Sequence, residues 1–440
     1  MLERLLPRVV AIVALAGAWP AAAQPTTPAP ALSSVAGSTL ERVTFDEAVA
    51  RAVERHPTVG QAAQAVLRAR ALLDQAKSVF RPSLYGGVNT TILDAARGFD
   101  GNITQPRTQS AFNATLSFPI LATTRWAAKN QAADRVGIAR ISAEETRREV
   151  ALTAAQSYLA VVAAARQREI AIRNLDTARA LDEYAKARLE AGKGSRLNHV
   201  RSTQERVTAE GRLQAAELFL RQAQEALGVA IFADGPVDAN GDPEITPAAP
   251  PSSDTWLMQR PDVRLFTAEV QAADRVVRDS WTSWFPTGTA SFTPQYVTPP
   301  GFFEPAKTWR AVFQLQVPIY DGTLGAARRI SIADRDTARL RLDAVKVQAR
   351  AELRLAEESV ARTEQIVATS RLAAENAAEA LRITEIAYRA GATSNIEVVQ
   401  AQQTARNAEI VLALAEDGQR QARLDLLFAL GQFPQGPPRP

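Results

Sequence analysis

Two stretches of this chain contain no proline, one between Pro119 and Pro236 and the other between Pro318 and Pro434. Proline inside a helix removes a backbone hydrogen bond and clashes with the preceding turn, so both stretches are free to be helical throughout. Within the second, an apolar ladder runs through Leu342, Val345, Ala349, Leu353, Ala356, Val360, Val367, Ala374, Ala378 and Leu381. Its steps of three, four and seven average near 3.5 residues, the period of a coiled-coil seam. A helix over 122–190 would extend roughly 100 Å at 1.5 Å per residue. No compact domain holds such a rod, so it must pack against rods like itself. Gly192 and Gly391 mark where each long helix turns back into a returning one.

Other landmarks recur in the same order in both halves. His56-Pro57 and Arg260-Pro261 open Ala-rich helical stretches, which Arg81-Pro82 and Phe285-Pro286 close. Phe118-Pro119-Ile120 matches Val317-Pro318-Ile319. Arg188-Leu189-Glu190-Ala191-Gly192 matches Tyr388-Arg389-Ala390-Gly391, and Leu227-Gly228 matches Leu430-Gly431. The separation is about 200 residues, which reads as a tandem duplication. Each half has one plan. Thr44 and Glu47 form a capping box before a short helix that Pro57 interrupts, and a second helix runs to about Phe80. The period then drops to two. Leu84, Val88 and Ile92 alternate with Tyr85, Asn89 and Thr91, and after a polar loop over 94–107, Phe112, Ala114, Leu116 and Phe118 alternate with Asn113, Thr115 and Ser117. In the second half 287–297 is a poorer strand, because Pro294 removes a ladder donor. A Pro-rich loop with Phe302 and Phe303 follows. Trp309, Ala311, Phe313, Leu315 and Val317 then alternate with Arg310, Gln314 and Gln316. The expected order is a signal peptide (1–23), a flexible segment (24–40), a first repeat (41–235) and a Pro-rich linker (236–252). A second repeat (253–432) and a tail (433–440) complete the chain. Strands are expected near 83–93, 108–118, 287–297 and 308–317, and hairpins over 122–228 and 323–431.

Arg4 and Arg8 precede the apolar run 9–17, and Ala21-Ala22-Ala23 stands before Gln24. This is the layout of a secretory leader, with an apolar run too short to span a bilayer. No later apolar run reaches about 18 residues, so an exported product is either soluble or inserted as strands. Apolar residues form 46% of the chain, which excludes a disordered polymer, yet aromatics are only 6% and much of the remainder is Ala. That composition suits closely packed helices better than a thick globular core. The net charge of +4 is interleaved with acids along the helices as a solvated face, which argues against a nucleic-acid partner. Cysteine is absent, removing disulfides, thiol catalysis and acylation at a Cys. His56 and His199 sit in no metal-binding spacing, and neither a nucleophile elbow nor a phosphate-binding glycine loop occurs. No catalytic residue, metal site or cofactor is expected.

Four strands of about ten residues suit a transmembrane barrel but cannot close one, and an open edge in lipid leaves backbone groups unpaired. The physical solution is to share one barrel among several chains. The apolar side, with Phe112, Leu116, Phe118, Trp309, Phe313 and Leu315, would face lipid, and the Asn, Thr, Ser, Arg and Gln side would face water. Trp281, Trp284, Tyr296 and Phe303 read as membrane-interface or junction residues. A soluble four-stranded sheet on helices would show the same alternation. A soluble periplasmic coiled-coil scaffold without a pore is therefore the alternative, though it leaves the strand pairs without a task.

The segment Tyr388-Arg389-Ala390-Gly391-Ala392-Thr393-Ser394-Asn395-Ile396-Glu397-Val398-Val399-Gln400-Ala401-Gln402, with Val317-Pro318-Ile319-Tyr320-Asp321-Gly322, resembles the helical turn and the strand-to-helix junction of the TolC-type outer-membrane factor family. The resemblance covers roughly 40–432. It implies a mostly α chain with a small transmembrane β-barrel: a homotrimer with twelve strands above a periplasmic α-helical barrel, in the outer membrane of a Gram-negative bacterium. It further implies a passive channel that takes substrate from an inner-membrane pump of the RND or ABC type through a periplasmic membrane-fusion adaptor. Ala191, Gly192, Ser195 and Leu197 in one turn, with Ala390, Gly391, Ser394 and Ile396 in the other, become candidate adaptor-docking residues. Glu397 is a candidate charged constriction, although an exposed Glu on a solvated helix end would look the same. The first turn departs from this pattern, with Asn198-His199 where the second has Glu397-Val398, and brings no acid to the equivalent position.

Overall fold

The computed structural model describes residues 40–246, 254–302 and 305–433. The expected leader, nearly all of the segment 24–40, part of the linker, Phe303 and most of the tail lie outside them. From Glu41 onward the chain forms one unit by its contacts.

Strand β1 (Glu41–Val43) leads into α1 (Phe45–Arg55), where the Glu47 amide donates to Thr44 Oγ1 at 3.4 Å. Pro57 then sits in the first turn of α2 (Pro57–Ser78), and the His56 ring accepts from the Thr58 amide at 3.3 Å, a helix-capping role. Next come β2 (Ser83–Ile92), β3 (Arg97–Phe99), β4 (Asn102–Gln105) and β5 (Thr108–Leu121). Helix α3 (Thr123–Glu190) and its return α4 (Arg196–Ala230) follow, then β6 (Val237–Ala239). The second half holds α5 (Pro261–Asp279), β7 (Thr287–Thr298), β8 (Lys307–Gln316), α6 (Gly322–Arg389) and α7 (Asn395–Ala429).

Both long helices have 68 residues and both returning helices have 35. The returns therefore cover only about half of the rods. Along the other half α2 packs on α3 and α5 on α6. Along the expected seam Leu342, Ala349, Leu353, Ala356 and Val367 are buried, whereas Ala378 is exposed although α7 runs beside that part of α6. The helix ends correct one repeat landmark. Gly431 is left-handed (φ 73°) just beyond α7, and its counterpart just beyond α4 is Phe232, at φ 55°, not Gly228. Gly228 lies inside α4, where the Gly235 carbonyl leaves no room for a Cβ.

The expected linker also contains structure. Strand β6 pairs in parallel with β1, capping a cluster of Val43, Ala48, Ala52, Tyr158, Leu227, Ile231 and Val237. Beyond it Tyr158 donates to the Gly241 carbonyl at 2.9 Å, and Asp242 accepts from Arg166 of α3 and Arg420 of α7.

The C-terminal end of α7 is held by two buried arginines from different halves. Arg148, on α3, donates to the Phe428 carbonyl at 2.5 Å and stacks 3.8 Å above the Phe428 ring. Arg260, the cap of α5, donates to the Ala429 carbonyl at 3.2 Å while pairing with Asp262 and Glu352 at 2.7 and 2.8 Å. Carbonyls at a helix end have no partner within the helix, so these guanidiniums complete them. Burial alone would raise the Asp262 carboxyl, but hydrogen bonding and charge pairing with Arg260 outweigh it and hold it below the usual range. Removing one partner of a buried pair leaves the others uncompensated. Arg260→Met should therefore destabilise the detergent-solubilised protein by about 3 kcal/mol in denaturant unfolding, against at most about 1 kcal/mol for Arg362→Met at an exposed pair. Because the carboxyl is depressed on folding, the contribution is complete at neutral pH and lost as pH falls through its folded value. The Arg260→Met difference should shrink in acid.

Candidate functional site

The four long strands form one antiparallel sheet in the order β2-β5-β7-β8. Its register sorts the side chains by face. One face carries Leu84, Val88, Ile92, Phe112, Leu116, Phe118, Phe292, Tyr296, Trp309, Phe313 and Leu315. The other carries Tyr85, Asn89, Thr91, Asn113, Thr115, Ser117, Thr289, Ser291, Thr293, Gln295, Arg310, Gln314 and Gln316. All six residues expected on the apolar face are there. Trp309, Phe313 and Leu315 are 70%, 79% and 65% exposed, a contiguous apolar surface that water does not tolerate unaided. Aromatic residues gather at both ends of the sheet. Trp281 packs on Phe285 below β7 at 5.2 Å, and Phe112 meets Tyr296 at 6.4 Å toward the other end. Pro294 does not push β7 to an edge: β7 is internal, and the ladder to β5 passes from Asn113↔Gln295 to Leu116↔Phe292, skipping the proline. Among the described residues β2 and β8 each have one neighbour, so both outer edges are open.

The loop expected over 94–107 contains the β3–β4 hairpin, turning at Asp100 and Gly101 with φ 50° and 78°. Asp-Gly is the usual sequence of such a mirror-image turn and was the available signal.

The two helical turns lie together at the ends of α3 and α6 remote from the sheet. Each closes with the same motif. The Gly192 amide donates to Leu189 and the Lys193 amide to Arg188, as the Gly391 and Ala392 amides do to Tyr388 and Ala387. This closure places its penultimate residue in the left-handed region, where Gly192 (φ 68°) and Gly391 (φ 79°) are unstrained. The buried Asn395 donates from Nδ2 to the Asn198 carbonyl at 3.1 Å, and Tyr184 meets Tyr388 edge-on at 5.7 Å beside Val398. Sequence reading missed this Asn–Tyr junction, because its partners lie in different halves. The outer surface of the turns shows Ala191, Gly192, Ser195, Leu197, Ala390, Gly391, Ser394 and Ile396, all exposed. Ser195 Oγ accepts from the Asn198 amide at 3.2 Å as a helix cap. Glu397 is exposed and accepts from the hydroxyls of Thr393 and Ser394 in its own turn. His199 faces Asp182 at 3.4 Å, and among the described residues no group of acids and histidines is placed to hold a metal. No described helix is long and apolar enough to cross a membrane.

A two-faced sheet with open edges, to which each half of the chain gives two strands and one long helical hairpin, has the architecture of a membrane duct. The chain belongs to the outer membrane efflux protein family, whose model matches 48–231 and 253–432, one match per repeat. No curated relative matches the chain by sequence. Its fold is that of several solved channels. The Campylobacter jejuni CmeC outer membrane channel is 16% identical, with a TM-score of 0.76 over 88% of this chain and 85% of that one. VceC, an outer membrane protein of Vibrio cholerae, is 15% identical, with 0.74 over 88% and 96%. The open state of the Neisseria gonorrhoeae MtrE outer membrane channel is 17% identical, with 0.75 over 92% and 97%. The chain is thus a transport channel of the outer membrane with a helical periplasmic extension, and not an enzyme. A pore-free soluble scaffold is set aside.

Proposed function

We propose that three copies of this chain form the exit duct of a tripartite efflux or type I secretion assembly, passively conducting substrate from an inner-membrane pump of the RND or ABC type. The single observation that carries this reading is the sheet: two open edges, one apolar face and one polar face, continuous over four strands. Joining β8 of one copy to β2 of the next closes twelve strands and leaves no edge in lipid. The apolar face then meets hydrocarbon and the polar face lines water. The exposed small residues at the turns, with Leu197 and Ile396 as apolar anchors, suit the close approach of a helical hairpin from the periplasmic adaptor. Three copies of Glu397 would set an acidic ring near that end.

The absence of cysteine gives a clean background for the test. Single cysteines along Tyr85, Gly87 and Asn89 of β2, paired in turn with cysteines at Arg310, Val312 and Gln314 of β8, should yield disulfide-linked trimers in isolated outer membranes for at least one register. Dimers or no cross-links across the whole set would overturn the shared barrel.

A further inference from the structure

The four long strands contain only two charged residues, Lys307 and Arg310, and no acid. They lie on opposite faces. Lys307 opposes Tyr296 at the apolar rim, where a long side chain reaches the interface. Arg310 stands within β8 on the polar face, opposite Thr293. Thr293 shares a hydroxyl contact of 3.2 Å with Thr115, and Thr115 opposes Tyr85. One row across the sheet is therefore Tyr85, Thr115, Thr293, Arg310: three hydroxyls and one guanidinium with no carboxylate on that face of any strand.

We infer that Arg310 is the charge filter of the outer-membrane part of the pore, favouring anionic solutes such as carboxylates and phosphates over cations. The inference rests on the duct reading, in which the polar face is the lumen. Arginine stays charged at every accessible pH and binds carboxylate or phosphate through its planar fork, and the neighbouring hydroxyls add donors to the same row. Rings of Arg or Lys are the general device for anion preference in a pore. The geometry also sets when the ring acts. With four strands per chain at about 4.8 Å spacing and a tilt near 40°, successive arginines stand roughly 25 Å apart along the wall. Three such steps make a wall about 75 Å around and about 12 Å in radius, so the three fields overlap strongly on the axis at 0.01 M, where the screening length is about 30 Å, and fade as it falls to about 3 Å at 1 M. In concentrated salt Arg310 acts only on solutes that touch it.

The test places a neutral fluorophore in the lumen, on the full-length protein in lipid vesicles, through Thr289→Cys on the polar face. Iodide and caesium then report anion and cation access from the outer mouth, whatever the state of the helical tip. The ratio of iodide to caesium quenching should rise several-fold between 300 mM and 10 mM salt. Arg310→Gln should remove that rise, Arg310→Lys should keep it and Arg310→Glu should invert it. An unchanged low-salt ratio in Arg310→Gln, with both ions still reaching the label, would overturn the filter and leave the duct standing. A label reached by a lipid-dissolved quencher and by neither ion would overturn the face assignment, and with it both readings.

Discussion

Phe313→Arg should leave the chain unassembled in the outer membrane, whereas Gln314→Arg should assemble like the wild type. The two residues are adjacent on β8 and lie on opposite faces of the sheet. Phe313 is 79% exposed on the apolar face, near the middle of its strand. A lipid-facing Arg near the bilayer midplane costs about 2–4 kcal/mol per chain, hence on the order of 6–12 kcal/mol per trimer, whereas a lumen charge stays hydrated. Heat-modifiable trimer in outer-membrane fractions is the measurement. Equal yields from the two variants would mean that the sheet is inserted with the opposite orientation or not inserted at all.

Replacing Ser195 and Ser394 together with Arg should abolish transport and adaptor cross-linking while leaving trimer and membrane levels unchanged. Both serines are exposed on the outer surface of the turns. Losing the Ser195 cap costs about 1 kcal/mol, small beside the packing of the hairpins it terminates. Ser394 loses only its hydroxyl contact to Glu397, since it makes no cap to its own helix. Two bulky cations on a surface of small residues would, however, prevent close approach of a partner helix. Transport that survives both substitutions would assign the docking surface elsewhere and leave Gly192 and Gly391 as turn residues only.

The strand faces were legible because each strand carries its own alternation, and neighbouring strands agree once the register is known. The turns were legible from Gly192 and Gly391, whose backbone conformation selects for glycine. The lengths of the returning helices were not. No proline or break in the residue pattern shows where α2 replaces α4 against α3, since the substitution is a tertiary event. Strands β1 and β6 are three residues each and pair across most of the first repeat, so no local signal exists for either. Arg148 and Arg260 resembled the solvated arginines around them, and only the end of α7 gives them their burial. Phe232 shows the limit from the other side: a left-handed position filled by an aromatic residue leaves no glycine to read.

The matched helix lengths act as a pair of gauges. One residue added to α3 alone would advance its tip by about 1.5 Å and rotate it by about 100°. Asn198 would leave Asn395, Tyr184 would leave Tyr388, and Arg173 and Arg166 would lose step with Glu409 and Glu416. An insertion in one half is therefore tolerable only with its twin in the other. The segments between paired strands differ between the halves: one bears the β3–β4 hairpin and the other a short Pro-rich connection, tied to it where the Phe302 amide donates to the Ile103 carbonyl. How far the chain reaches into the periplasm is thus written twice and checked against itself, while its outer rim is built differently in each half.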